Sequence, residues 1–230
     1  MQVWEGLGKE NRTASNGMIP VVAPALLLST ESIGEGGRAN VDIFTALKER
    51  WSCRNYNGQE IEDGTLMKIL EAGGWAPSVM NLQPWRFYVI KNPILKQKLK
   101  ESCEATAQTI FARSGWKWVS KYSFEFLVQA PVLIAIAADP KDTGADQFIK
   151  EQGTGYAYSC CAAIQNIMLA AHALGVNTLW FSLYDTPVAK EILGIPPHLD
   201  LVSIVVAGYS ADPEKHLPRK PVSDLTVIKE

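Results

Sequence analysis

Apolar residues recur along the chain at two different periods, and the switches between them divide it into elements. From Asn40 the spacing of Val41, Phe44, Ala46, Leu47 and Trp51 predicts a helix, with Asn40 as its cap. Leu66, Ile69, Leu70 and Gly73 share one face of a second helix, starting near Asp63 and stopped by Gly73-Gly74 and Pro77. Strand signals follow at 86–90, and Asn92-Pro93 breaks them. Residues 94–111 read as a helix, and 114–128, rich in aromatic side chains, as another. The unbroken apolar run at 131–137 predicts a buried strand. After a polar loop at 139–146 comes the longest predicted helix, about 148–174, ending at Gly175. Its middle is apolar nearly all round, which makes it a central, buried helix. Strands at 177–183 and 201–207 enclose a short helix at 187–193. Residues 209–230 form a tail punctuated by prolines 213, 218 and 221, and residues 1–39 precede the first helix as an extension or arm.

Alternating helical and strand-like runs favour a mixed α/β or α+β layer architecture. At 230 residues and 47% hydrophobic content the chain can build one sizeable core, here assigned to residues 40–230. A formal net charge of −2 leaves no broad basic field, which argues against a nucleic-acid partner. Cys53, Cys103, Cys160 and Cys161 form no CxxC pair, and His172, His198 and His216 lie far apart, so no metal site is expected. Reduced thiols fit a cytoplasmic protein. The apolar stretch 18–28 holds two prolines and is too short to span a bilayer, so no membrane association is expected. An arm lying on the body or on a partner subunit is the favoured reading of this region.

Gly34-Glu35-Gly36-Gly37-Arg38-Ala39 matches a dinucleotide fingerprint in spelling only. That motif needs a strand running into its first glycine and an acid on a second strand after the helix. Neither is present, and a hinge after the arm is the better reading. Three other segments carry chemistry. Arg50-x-Ser52-x-Arg54 offers two guanidiniums and a hydroxyl at a helix end, suited to phosphate and planar heteroatoms, or else a solvated basic terminus. Pro77-Ser78-x-x-Asn81-x-Gln83-Pro84-Trp85 places amides that both donate and accept in a proline-stiffened loop. It suits the polar edge of a flat heterocycle, or else is a polar surface turn. Pro218-Arg219-Lys220-Pro221 presents two cations rigidly, or else is a solvated tail.

Taken in order, these segments resemble the signature of the FMN-dependent nitroreductase family. The resemblance runs from Arg50-Trp51-Ser52-Cys53-Arg54 through Ala76-Pro77-Ser78-x-x-Asn81-x-Gln83-Pro84-Trp85-x-Phe87 to Ala163-x-Gln165-Asn166. It continues through Leu174-Gly175, Trp180, Leu193-Gly194-Ile195-Pro196 and Gly208-Tyr209, and closes at Arg219-Lys220-Pro221. The family implies an α+β sandwich, a central sheet flanked by helices, in an intertwined homodimer. The tail would reach across the partner, and FMN would sit at the interface, contacted by both chains. By the same resemblance Arg50 and Arg219 would grip the FMN phosphate, with Ser52 supporting phosphate or ring. Arg54 would lie near the pyrimidine edge. Asn81 and Gln83 would bond the ring edge, and Pro77 and Ser78 would line the pocket. Backbone groups of Phe181, Ser182 and Leu183 would approach the flavin N5. Many relatives carry Gly or Glu where this chain has Ser182.

The implied activity is ping-pong oxidoreduction: NADH or NADPH reduces FMN, and a nitroaromatic, quinone or similar planar acceptor oxidises it. Arg54 and Ser182 are the candidate catalytic positions, Arg54 because a fixed cation stabilises charge near N1 and C2=O of reduced flavin. Trp116, Trp118, Tyr122 and Phe124 would be a substrate lid, or else core or dimer contacts. Two other functions compete: a flavin-consuming enzyme of the dimethylbenzimidazole synthase type, and a non-catalytic flavin-binding protein on the same scaffold.

Overall fold

A computed structural model of the protein describes residues 41–230 except His216. The expected arm and the GxGxxA segment lie outside the described residues. The first helix, α1 (Ile43–Glu49), starts later than the apolar spacing suggests. Its cap is Asp42, not Asn40: the Asp42 carboxylate accepts from the N–H groups of Phe44 and Thr45 at 2.9 and 3.2 Å. Then come α2 (Asp63–Gly74), β1 (Trp85–Ile90), α3 (Pro93–Ser114) and α4 (Phe126–Gln129). They are followed by β2 (Val132–Ala138), α5 (Gly155–Ala173), β3 (Asn177–Phe181), α6 (Thr186–Leu193) and β4 (Asp200–Gly208).

The four strands form one antiparallel sheet in the order β1-β2-β4-β3. Every residue of β2 is buried, because helices cover both faces of the sheet. Leu133, Ala135 and Ala137 point into a core with α3, α4 and α6, while Val132, Ile134, Ile136 and Ala138 point into a second core with α2 and α5. A bulge between Ile136 and Ala137 shifts the pairing from Ser203 to Leu201, so Leu201 joins Ile204 and Val206 in the first core. The architecture is the α+β sandwich expected, a central sheet flanked by helices.

Two helix predictions need correction. Residues 114–128 are not a helix. Gly115, at φ 69°, ends α3 in the left-handed conformation, and the chain continues as a loop with one 3-10 turn at Val119–Lys121 before the single-turn α4. The aromatic spacing imitates a helical stripe, but the rings form a through-space cluster. The second correction concerns α5, which starts at Gly155 rather than near 148, after Glu151 and Gly153 at φ 62° and 106°. That leaves α3, with 22 residues, longer than α5, with 19.

The contact between α2 and α5 is close because Gly73 has no side chain: a Cβ there would meet Ile167 Cγ1 at 2.7 Å. Asn166 Nδ2 adds a hydrogen bond to the Ala72 carbonyl at 3.1 Å. Among the described residues no helix is long and apolar enough to cross a membrane, and no group of three metal-ligating side chains occurs.

Candidate functional site

The segment after α1 is held by backbone on both sides. The Cys53 N–H donates to the Thr178 carbonyl at 3.0 Å, and Ser52 bridges Thr178 in parallel, so residues 50–54 run alongside β3. Tyr56 Oη lies between the Cys53 and Val206 carbonyls at 3.1 and 3.3 Å, and burial pushes its pKa well above the usual phenol value. Beyond it, Asn57 N–H donates to Tyr209 O, Ala211 N–H to Asn55 O, and Asn55 Nδ2 to Asp212 Oδ1 at 2.9 Å. The start of the C-terminal tail is thus tied to the same segment that carries Arg50, Ser52 and Arg54.

That tie has a consequence for Arg219. Arg50, Trp51, Ser52, Arg54 and Arg219 line one cleft of about 600 Å³, together with Lys48, Glu49, Lys215 and Leu217. Burial lowers the Arg50 pKa, and the nearby charge of Arg219 lowers it further. Arg50 Nη1 and Trp51 Nε1 are buried with no hydrogen-bond partner among the described residues. A buried, unpaired guanidinium nitrogen beside a second guanidinium costs stability unless an anion pairs with both. The donor set suits a phosphate, for which Arg forks are well matched. It therefore fits the phosphate end of FMN.

Arg54 is exposed in the same cleft, and two bonds fix its guanidinium. Nε donates to Tyr122 Oη at 3.1 Å and Nη1 to the Ser52 carbonyl at 3.4 Å. Tyr122 packs edge-on against Trp118, Phe124 and Phe126, and Phe124 and Phe126 pack on Phe181 at the end of β3. Phe181 is buried, so any cofactor contact it makes is through its backbone; Ser182 is exposed and Leu183 half-buried. None of the three lines the Arg50–Arg219 cleft.

Pro77, Ser78, Asn81 and Gln83 belong to a separate loop that packs on the N-terminal end of α5, outside the lining of that cleft. Ser78 Oγ accepts from the Gln83 N–H at 3.1 Å, and Gln83 Nε2 donates to Asn81 Oδ1 at 3.1 Å. The Val79 N–H donates to Ser159 Oγ on α5 at 3.1 Å. Met80, Asn81 and Gln83 all take positive φ, at 49°, 55° and 47°. Three non-glycine residues in the left-handed region within four positions are strained, and such strain persists only where surrounding structure enforces it. The amides of Asn81 and Gln83 remain on the surface, exposed.

Of the predicted site residues, the structure brings Arg50, Ser52, Arg54 and Arg219 into one cleft, and leaves Pro77, Ser78, Asn81, Gln83, Phe181, Ser182 and Leu183 outside its lining. Lys48, Glu49, Trp51, Lys215 and Leu217 also line the cleft and were not among the predicted site residues. Trp51 was legible as the residue inside the Arg-x-Ser run, but Lys215 and Leu217 sit in a proline-rich tail without a periodic signal.

The family model described as "Nitroreductase family" matches residues 47–209. A protein of Archaeoglobus fulgidus provisionally named NADH dehydrogenase/NAD(P)H nitroreductase is 32% identical over 168 residues, which cover 71% of this chain and 82% of that protein. An iodotyrosine deiodinase of Thermotoga neapolitana is 26% identical over 188 residues, covering 78% and 95%. The crystal structure of a nitroreductase with bound FMN from Bacteroides fragilis superposes with a TM-score of 0.64 at 25% identity, covering 83% of this chain and all of that one. The chain belongs to the nitroreductase family.

Proposed function

We propose that the protein is an FMN-dependent oxidoreductase that takes electrons from NADH or NADPH and delivers them to a planar acceptor such as a nitroaromatic or a quinone. The observation that carries this reading is the buried Nη1 of Arg50, without a hydrogen-bond partner among the described residues, beside Arg219 in one cleft. Arg50 and Arg219 would hold the phosphate, Ser52 would support it, and Arg54 would serve the ring. FMN held there would supply two-electron chemistry, hydride acceptance from the nicotinamide and electron delivery to the acceptor in a ping-pong cycle. The protein's part is to bind and orient. The fixed guanidinium of Arg54 favours negative charge developing nearby, so no acid–base pair is needed.

The separation of the 77–83 loop from the arginine cleft supports a homodimer. In that arrangement the Ser78, Asn81 and Gln83 of one chain complete the cleft of the other. Exposed apolar side chains are available for such an interface: Phe44 on α1, Phe148 and Tyr158 around the start of α5, and Val222, Leu225, Val227 and Ile228 in the tail. The four free thiols fit a cytoplasmic location.

The deiodinase relative favours a second acceptor class, halogenated aromatics reduced with loss of halide. Purified protein with FMN should absorb as oxidised flavin and bleach anaerobically on addition of NADH or NADPH. Reoxidation by a panel of nitroaromatics, quinones and halophenols then separates the acceptor classes. A protein that ignores added FMN, or holds FMN that neither nicotinamide reduces, contradicts the reading.

A further inference from the structure

We propose that Tyr122 is a positioning residue, which holds the Arg54 guanidinium in the orientation that favours reduced over oxidised flavin. The inference rests on the FMN reading above and adds to it a residue outside the cleft. Tyr122 does not line the arginine cleft, yet its hydroxyl accepts the Nε–H of Arg54 at 3.1 Å. With Nη1 committed to the Ser52 carbonyl, these two bonds fix the plane of an otherwise exposed, flexible side chain. No hydrogen bond engages Nη2 among the described residues, so that nitrogen is the donor left for a ligand.

Tyr122 is itself immobilised. Its ring centroid lies 5.1 Å from that of Phe124 and 6.1 Å from those of Phe126 and Trp118, all at steep interplanar angles. Phe124 and Phe126 are buried against Phe181, whereas Trp118 stacks on Trp116 and both tryptophans are exposed. Tyr122 therefore joins three things: the guanidinium in the cleft, the core at the end of β3, and an exposed indole pair of the kind that stacks on planar aromatic acceptors. A donor held in advance stabilises developing charge better than one that must be ordered at that moment.

The test uses the FMN-loaded protein and two readouts other than turnover: the dissociation constant of oxidised FMN, and the midpoint potential of bound FMN against a reference dye. Tyr122→Phe removes the acceptor oxygen and keeps the ring. Oxidised FMN is expected to bind within about twofold of wild type. The preference for reduced FMN should fall roughly tenfold, a lowering of the potential by about 30 mV. In an Arg54→Ala background the same substitution should add nothing, because the oxygen acts only through Arg54. If Tyr122→Phe does not fold, Tyr122→Trp, which also lacks the acceptor, carries the same expectation. A potential equal to wild type, or an equal shift with and without Arg54, overturns the proposal while leaving the FMN reading intact. Wild-type protein that binds no FMN overturns both.

Discussion

Cys53 and Thr178 are joined by a backbone hydrogen bond of 3.0 Å, and through it the Arg50–Arg54 segment lies parallel to β3. This pairing, with the bonds from Asn55 and Asn57 to the start of the tail, sets Arg50 in one cleft with Arg219, and Arg54 beside the aromatic cluster around Tyr122. Two guanidiniums are therefore spaced along a single short segment.

Arg50 is expected to act with opposite sign in the empty and loaded protein. Its Nη1 is buried and has no hydrogen-bond partner among the described residues, so Arg50→Ala should leave the thermal midpoint of FMN-free protein no lower than wild type. With FMN present, losing a charge-assisted contact of about 1.5–3 kcal/mol should weaken binding roughly 10- to 100-fold. Calorimetry of the two forms checks both halves.

If two chains build each site, defects can be sorted between them. A chain carrying Arg50→Ala and Arg219→Ala, co-expressed with one carrying Ser78→Ala and Asn81→Ala, should give mixed dimers with one intact site. Such dimers should bind about half the wild-type flavin per chain, since one of the two sites is whole. Flavin absorbance of a doubly tagged, purified mixed dimer reads the result.

Gly73→Ala tests the packing that carries α5. Alanine improves helix propensity by up to about 1 kcal/mol. Its Cβ, however, would lie 2.7 Å from Ile167 Cγ1 and 3.1 Å from Phe87 Cζ. The overpacking cost of about 1–3 kcal/mol should win, giving a net loss of roughly 1–2 kcal/mol in urea unfolding.

Asp146 links the loop before α5 to acid stability. Burial would raise its pKa, but hydrogen bonds from the Thr143 hydroxyl at 2.9 Å and the Gly155 N–H at 2.8 Å outweigh it and leave the pKa lowered. A carboxyl with a depressed folded-state pKa stabilises fully above the ordinary aspartate value, near about 4, and loses that contribution as pH falls through the folded value. Asp146→Asn should therefore be less stable than wild type at neutral pH, with the gap closing below about pH 4. Urea midpoints across that range measure it.

The parts of the fold that were legible in the sequence were those in which one local rule dominates. The apolar run ending at Ala137 could only be a strand buried on both faces, and Gly73-Gly74 marked the end of α2. The segment after Gly115 was misread because its five aromatic residues obey tertiary contacts rather than a helical period. The start of α5 was misplaced because apolar Phe148 and Ile149 look like helix residues but stand exposed before a left-handed turn. At the site, residue types alone left Arg50-x-Ser52-x-Arg54 and Arg219 open as a solvated terminus and tail, and only the ordered family resemblance grouped them. The Arg54–Tyr122 bond joins positions far apart in the chain, and no sequence pattern encodes it.

The most direct measurement compares FMN with riboflavin, which has the same ring but no phosphate, by fluorescence titration of flavin-free protein. If Arg50 and Arg219 form the phosphate grip, FMN should bind at least about 100-fold more tightly, from two charge-assisted contacts of about 1.5–3 kcal/mol each. Arg50→Ala with Arg219→Ala should then erase most of that difference. Equal affinity for the two flavins, or an FMN preference that survives the double substitution, would contradict the assignment of the cleft.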